Sequence, residues 1–256
     1  MGRVSLEMSF SMTDHVAVQL EFAGLSDVGR SRARNEDNFS VNQETGLAMV
    51  CDGMGGHAGG DIASRTVVEV IGEVVSHFGT SQQDADTAIR AAVRQANDRL
   101  LALNQQRGFP EGRGMGTTVV GLWRIVGTDR VLVFHAGDSR LYRLRGGELR
   151  QITRDHSLYQ AWLDAGGHGQ APHRNIIIRA LGTTIDADPD VEAVTILPDD
   201  LFLICSDGLT GMVGDQEIAD VLGGGGELPA LCKRLVDLAN EMGGNDNITV
   251  VLARGV

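Results

Sequence analysis

Apolar residues recur along this chain with two different periods. In "VAVQLEF" they alternate with polar ones, which puts Val16, Val18, Leu20 and Phe22 on one face of a half-buried strand. "GLAMVCDG" is a short apolar run that ends at Asp52. The period then lengthens. Ile62, Val67, Val70, Ile71, Val74, Val75 and Phe78 predict an amphipathic helix over 60–78, and Ile89, Val93, Ala96, Leu100 and Leu103 a second over 84–105. The strand period returns in "TTVVGLWRIV", "RVLVFHAGDS" and "RLYRLRGGELRQI", which read as consecutive antiparallel strands with Gly-Thr-Asp and Gly-Gly turns. A short helix is expected over 157–165 and a polar, glycine-containing loop over 166–176. "VEAVTIL" and "DLFLICSDG" are strands joined by a Pro198-Asp199 turn. Residues 215–222 and 227–242 read as helices split by "GGGG", and "NITVVLAR" is a closing strand.

Strands dominate the centre and helices come in pairs between them. That pattern predicts an α+β fold of two antiparallel sheets packed together with helices outside, and it lacks the regular βαβ alternation of a parallel sheet. No internal repeat and no linker divides the chain. Residues 1–15 are aperiodic and are expected to form a loose leader, with 16–256 as a single domain.

Composition narrows the function. Of 256 residues, 42% are hydrophobic, enough for a sizeable core. Net charge is −12, and Lys233 is the one lysine. So acidic a chain is a poor ligand for nucleic acid or anionic membrane. Cys51, Cys205 and Cys232 are odd in number and lack CxxC spacing, which argues against disulfides and a structural zinc; Cys51 and Cys205 read as small buried hydrophobes. "MGRVSLEMSFSMTDH" has no apolar core for a signal peptide, and no run approaches the roughly 20 residues of a membrane span, so the expected location is the cytoplasm.

Aspartates mark the strand ends. Asp52, Asp138 and Asp207 each close an apolar strand, Asp246 opens the last one, and Asp37 follows the first. One such aspartate is an ordinary turn residue. Several converging at one end of two sheets would repel one another unless cations neutralised them, and oxygen ligands suit Mg²⁺ or Mn²⁺. The glycines of "VCDGMGGHAGGD" allow the loop to pass close to such a cluster. Gly53, without a side chain, can turn its carbonyl toward an ion. His57 sits in that loop, and the residues alone do not separate a catalytic histidine from an idle one.

Other chemistries fit less well. "GMGGHA" matches a dinucleotide-binding fingerprint, but its first helix is followed by another helix where a parallel strand is needed. A P-loop lacks its lysine. A cysteine phosphatase needs arginine six residues after its cysteine, and those positions hold His57, Gly211 and Leu238. Ser139 and Ser206 lack a G-x-S-x-G setting.

Taken in order, "SDVGRSRARNEDNF", "VCDGMGGHAGGDIAS", "GTT", "HAGDSRLYRLRGGELRQITRDHS", "RNIIIRALG", "ICSDGLTGMV" and "GGNDNITVV" resemble the PP2C-type (PPM) protein serine/threonine phosphatases, bacterial branch, over residues 22–253. The resemblance implies a central sandwich of two antiparallel sheets flanked by pairs of helices. It implies two core Mn²⁺ or Mg²⁺ ions and a weaker third. Asp52 would bridge the core ions, the Gly53 carbonyl would bind one, Asp207 and Asp246 the other, and Asp37 would act through water. Asp138, with Asp207, would serve the third ion. Arg32 would bind the substrate phosphate, a role that composition alone cannot assign among Arg30, Arg32 and Arg34. His57 would be the general acid, and a hydroxide bridging the two ions the nucleophile. The implied partners are phosphoproteins, a Ser/Thr kinase among them, with the enzyme a monomer. One segment departs from the pattern: the flap, about residues 158–176, is several residues shorter than usual. The alternatives are a pseudophosphatase that binds phosphoproteins, whose mark would be a missing metal aspartate, and a metal-dependent phosphodiesterase or nuclease, which the −12 charge opposes.

Overall fold

A strand whose residues are apolar on both faces must be covered on both sides. Five strands are of that kind: β3 (Leu47–Cys51), β6 (Val119–Ile125), β7 (Arg130–Ala136), β11 (Leu201–Cys205) and β12 (Ile248–Gly255). In the computed structural model of the protein they lie inside two packed, antiparallel, five-stranded sheets. Residues 18–55, 59–78, 85–110, 112–185 and 187–256 are described. The first sheet has the order β1 (Leu20–Asp27), β12, β11, β8 (Arg140–Arg145), β9 (Glu148–Gln151). The second runs β10 (Asp190–Thr195), β7, β6, β3, β2 (Asn38–Asn42). A two-residue ladder joins β4 (Gly53–Met54) to β5 (Gly116–Thr117).

The inner faces meet through Ala48, Val50, Val120, Leu122 and Val133 on one side and Leu141, Phe202, Ile204 and Val251 on the other. Helices α1 (Gly60–Ser76) and α2 (Ala85–Gln106) cover the second sheet, burying Val67, Ile71, Ile89 and Val93 against Met49, Trp123 and Phe134. The first sheet is covered by α4 (Asp207–Thr210), α5 (Asp215–Gly223) and α6 (Leu228–Glu241) through Leu209, Ile218, Leu231 and Leu235. Phe134 and Phe202 are fully buried, and truncating either to alanine would cost roughly 3–5 kcal/mol. Cys51, Cys205 and Cys232 are free and buried, as the apolar settings of Cys51 and Cys205 predict for those two.

The expected α+β sandwich is the observed one, with local differences. The first strand runs from Leu20 to Asp27, further along than "VAVQLEF", and residues 16 and 17 lie outside the described residues, as does the leader. β2 carries an apolar stripe of only two residues, Phe39 and Val41, too short for periodicity to find. The strands of "RVLVFHAGDS" and "RLYRLRGGELRQI" are not neighbours: β7 pairs with β6 and β10, whereas β8 pairs with β11 and β9. The chain changes sheet at residues 137–139. It changes back after β9 and again at the Pro198-Asp199 turn, since β10 and β11 also belong to different sheets. Alternation shows that a segment is a strand but not which neighbour it takes. The short helix of the flap is α3 (Leu158–Asp164), capped by the Ser157 hydroxyl, which accepts from the Gln160 amide.

Register then gathers the aspartates. Asn38 pairs with Cys51, so Asp37 and Asp52 are neighbours. Val50 pairs with Val120, and Val119 with Ala136, which brings the end of β3, the start of β6 and the end of β7 to one edge. In the other sheet Cys205 pairs with both Val250 and Arg140, so β11 ends where β12 and β8 begin.

Candidate metal centre

Five carboxylates from five segments therefore meet at one end of the sandwich with few cations among them. Asp37 is buried at the start of β2. Its Oδ2 accepts hydrogen bonds from the Ser206 hydroxyl (2.8 Å) and the Thr249 hydroxyl (2.7 Å), while Oδ1 takes neither. Asp52 follows β3. Its backbone is clamped by the two threonines of "GTT": its N–H donates to the Thr118 hydroxyl (3.0 Å), and its carbonyl accepts from the Thr117 hydroxyl (2.8 Å) and the Thr118 N–H (2.9 Å). Asp138 is 7% exposed, and its Oδ1 is buried with no hydrogen-bond partner. Asp207 opens α4 and Asp246 precedes β12.

The electrostatics are those of a site with an excess of buried negative charge. Desolvation, then the Asp37, Asp207 and Asp138 carboxylates, push Asp52 well above the ordinary carboxylate range. Desolvation and Asp246 raise Asp207. Asp37 rises to about 7, chiefly through burial against the opposing pull of its two hydroxyl donors. Asp138 rises to about 7 through burial and Asp207. An orphaned buried oxygen and mutually destabilising carboxylates fit hard divalent cations, which prefer oxygen ligands. Gly53 fits as well. A Cβ there would run into the carbonyl oxygens of Gly60 and Glu36, so only glycine lets these three backbone segments meet directly after Asp52.

Arg32 is held beside the carboxylates by its loop. Asn247 is buried and organises that loop. Its side chain donates to the carbonyls of Val28 (3.0 Å) and Arg34 (2.8 Å) and accepts from the Glu36 N–H (2.9 Å). Gly29 turns with φ +79°, and a Cβ on it would meet the Asp246 carbonyl. The Arg32 guanidinium donates to Asp246 at 2.7 Å while its side chain stays 52% exposed. Burial works against its charge, but Asp246, Asp52 and Asp207 outweigh it and hold the guanidinium above its ordinary value. This separates Arg32 from Arg30 and Arg34, for which no comparable pairing occurs among the described residues. His57 lies outside the described residues. Sequence reasoning named the aspartates but missed Asn247, Thr118, Ser206 and Thr249, although "GTT" and "NDNITV" were legible as unusual polar positions at strand ends.

A second polar cluster stands on the inner face of β7. The rings of His135 and His156 stack with centroids 4.6 Å apart, Asp190 accepts from Arg179 (2.6 Å), and His156 Nε2 lies 3.3 Å from Asp190 and 3.1 Å from Arg179 Nη1. Burial, then His135 and Arg179, lower His156 to about 4.

Comparison with known proteins follows the same lines. The family profile for "Protein phosphatase 2C" matches residues 28–248. The serine/threonine phosphatase stp of Listeria welshimeri is 34% identical over 237 residues, covering 89% of this chain and 92% of that one. The serine/threonine protein phosphatase PstP of Mycobacterium tuberculosis is 37% identical over 249 residues, and the match spans 93% of this chain but 45% of PstP. The solved catalytic domain of PstP, in complex with two manganese ions, superposes with a TM-score of 0.83 at 35% identity, covering 94% of this chain and 100% of that one. PppA, described as a key regulatory component of T6SS in Pseudomonas aeruginosa, gives a TM-score of 0.83 at 37% identity, with 93% and 98% covered.

Proposed function

The chain belongs to the protein phosphatase 2C family, and from that premise we propose how its own residues divide the work of a metal-dependent protein serine/threonine phosphatase. The observation that carries the assignment is the convergence of buried carboxylates that raise one another's pKa values, with Asp138 Oδ1 left unpartnered. Asp52, the Gly53 carbonyl, Asp207, Asp246 and Asp37 would hold two core Mn²⁺ or Mg²⁺ ions, and Asp138 a weaker third. Bound divalent ions would supply charge for the phosphoryl group and a water of lowered pKa as nucleophile.

The protein's own contributions are positional. Asp246 keeps Arg32 aimed at the aspartates, and the exposed guanidinium is free to turn to substrate. There it would grip two phosphoryl oxygens, orienting the group and stabilising charge that develops on it. Ser206 and Thr249 fix one oxygen of Asp37, leaving the other for a ligand or its water. His57 would donate the proton that the leaving seryl or threonyl oxygen needs. Substrates would be phosphoproteins, an opposing Ser/Thr kinase among them, and the enzyme would act as a cytoplasmic monomer. Among the described residues no helix is long and apolar enough to cross a membrane.

The test is phosphate release from a phosphothreonine peptide after treatment with EDTA, then with Mn²⁺ or Mg²⁺, then with iodoacetamide. Activity is expected to vanish in EDTA, return with metal, and survive alkylation, because all three cysteines are buried. Full turnover in EDTA would refute the metal assignment.

A further inference from the structure

The sandwich is open along one side, where the edge strands β9 and β10 of the two sheets lie over one another. Inward-facing positions there are not apolar. Leu141 and Ile152 face the core between the sheets, so by alternation Arg143 and Arg145 of β8 and Arg150 of β9 point the same way. With Glu192 and Val194 of β10 they line a cavity of about 310 Å³.

Arg145 is committed. Its guanidinium makes two bonds to Asp200 (2.6 and 2.5 Å) and one to the Thr195 carbonyl (2.9 Å). Arg143 and Arg150 are different. They are direct cross-strand partners, the arrangement in which like charges destabilise a sheet. Neither takes part in an ion pair or side-chain hydrogen bond with any described residue. Arg143 Nε is the one side-chain nitrogen among the described residues that is buried with no partner. A desolvated donor without an acceptor is the costliest state of a hydrogen-bonding group, and a bound anion would end it.

Two guanidinium forks side by side suit a tetrahedral dianion better than a single carboxylate, since each fork can take two oxygens. The cavity continues along the same side of the sandwich toward the end that carries the aspartates. Ile152 and Glu192 line a second, larger cavity of about 630 Å³ that reaches His135, three residues before Asp138. Along β8 itself, Arg143 stands about 10 Å beyond Arg140 at the strand rise. We propose that Arg143 and Arg150 form a second phosphoryl-binding site, which holds one phosphate of a multiply phosphorylated protein while another is at the aspartates. This rests on the phosphatase reading above and specifies its substrate class. An extended peptide would span the two sites with about four to eight residues between its phosphorylated positions.

Three peptides test it, each with one phosphothreonine. Six residues away the first carries serine, the second a non-hydrolysable phosphonate analogue of phosphoserine, and the third glutamate. With Mn²⁺, the wild-type protein is expected to show kcat/KM about tenfold higher on the phosphonate peptide than on the serine peptide, through KM. The double variant Arg143→Gln/Arg150→Gln should lose that preference while keeping its rates on the serine peptide and on p-nitrophenyl phosphate. Arg150→Gln alone, at an exposed position, serves where the double variant folds poorly, and should lose part of the preference. Equal wild-type rates on the serine and phosphonate peptides, or a preference that survives both substitutions, would overturn the site. A glutamate peptide as good as the phosphonate would overturn the phosphoryl assignment. If no peptide and no p-nitrophenyl phosphate is hydrolysed, the phosphatase reading fails by itself. The site is then judged by binding of the fluorescent phosphonate peptide to wild type and variant, which should differ about tenfold.

Discussion

Strand β7 leads into two polar clusters that differ in whether their charges are answered. Past its end, Asp138 faces Asp207 and the other carboxylates with one oxygen unpartnered. Three residues earlier, His135 meets His156, Asp190 and Arg179. Three ligand atoms of His135, His156 and Asp190 lie within 4.8 Å of one another, a spacing that also admits a metal ion. Hydrogen bonding argues otherwise. His135 Nε2 lies 2.9 Å from the Arg154 carbonyl, His156 Nδ1 accepts from the Gly137 N–H at 3.2 Å, and His156 Nε2 lies 3.1 Å from Arg179 Nη1 and 3.3 Å from Asp190, so both nitrogens of His156 are engaged within the protein. Arg179 already answers the Asp190 charge. Ligand-capable atoms at ligand spacing therefore do not by themselves make a metal site. What distinguishes a site from a structural hub is leftover charge and leftover hydrogen-bonding capacity.

The sharpest way to break this contrast is to replace one member of each cluster. Asp52→Asn should lower kcat on a phosphopeptide at least about 10³-fold, because it removes a charge on which transition-state stabilisation depends. His135→Gln should leave kcat at 25 °C within about threefold while lowering stability by roughly 1–3 kcal/mol. Measuring both kcat and the thermal midpoint at saturating Mn²⁺ decides it. An inactive but stable His135 variant would mean that the histidine cluster is part of the chemistry.

The next effect concerns the glycine loop. His57→Ala should lose on the order of 10²-fold in kcat on a phosphoserine peptide, where the leaving alkoxide needs a proton. On p-nitrophenyl phosphate, whose leaving group is a far weaker base, the loss should be much smaller. Arg32→Ala should impair both substrates, since both carry the phosphoryl group. Equal losses for His57→Ala on the two substrates would instead make it a residue that positions water or the loop.

The same contrast explains what could be read from the sequence. Asp52, Asp138 and Asp207 were legible because three apolar strands end in the same way, although any one of these aspartates alone would pass as a turn residue. Arg32 was not separable from Arg30 and Arg34, because only the folded loop, pinned by Asn247 and turned at Gly29, decides which of them reaches Asp246. The histidine cluster was invisible. Its four members come from β7, the turn before α3, the flap's return and β10, and strand-to-strand pairing is what joins them. The crossings between sheets were missed for the same reason, since alternation is blind to the partner. The fold class was legible in full, because it depends only on the periods.

A smaller effect comes from Asp138. If it serves a weaker third ion, Asp138→Ala should lower turnover by about tenfold and leave two ions bound per chain, counted by metal analysis after dialysis. Loss of all bound metal would place Asp138 in the core instead.

The smallest effect is also the one that compares the clusters most directly, because their pKa shifts run in opposite directions. In protein stripped of divalent ions, Asp138 titrates at about 7, against 3.8 for an ordinary aspartate, through burial and Asp207. Its protonated form favours the fold. That contribution is present below pH 4 and is lost as pH rises through 7. His156 titrates at about 4, against 6.5, through burial and its neighbours His135 and Arg179. Its neutral form favours the fold, so that contribution is present above pH 6.5 and is lost as pH falls through 4. Each pH unit between the shifted and ordinary values is worth at most about 1.4 kcal/mol, which in a domain of this size moves the midpoint by about 2–4 °C per kcal/mol. Relative to wild type, Asp138→Asn should therefore gain in thermal midpoint between pH 4.5 and 7.5, and His156→Gln should lose over the same interval. Saturating Mn²⁺ should flatten the first trend, because a bound cation would neutralise the carboxylate, and leave the second unchanged. Thermal melts of the three proteins at both pH values, with EDTA and with Mn²⁺, make the comparison. If Mn²⁺ flattens the His156 trend as well, the histidine cluster binds metal after all, and the distinction drawn from its hydrogen bonds is wrong.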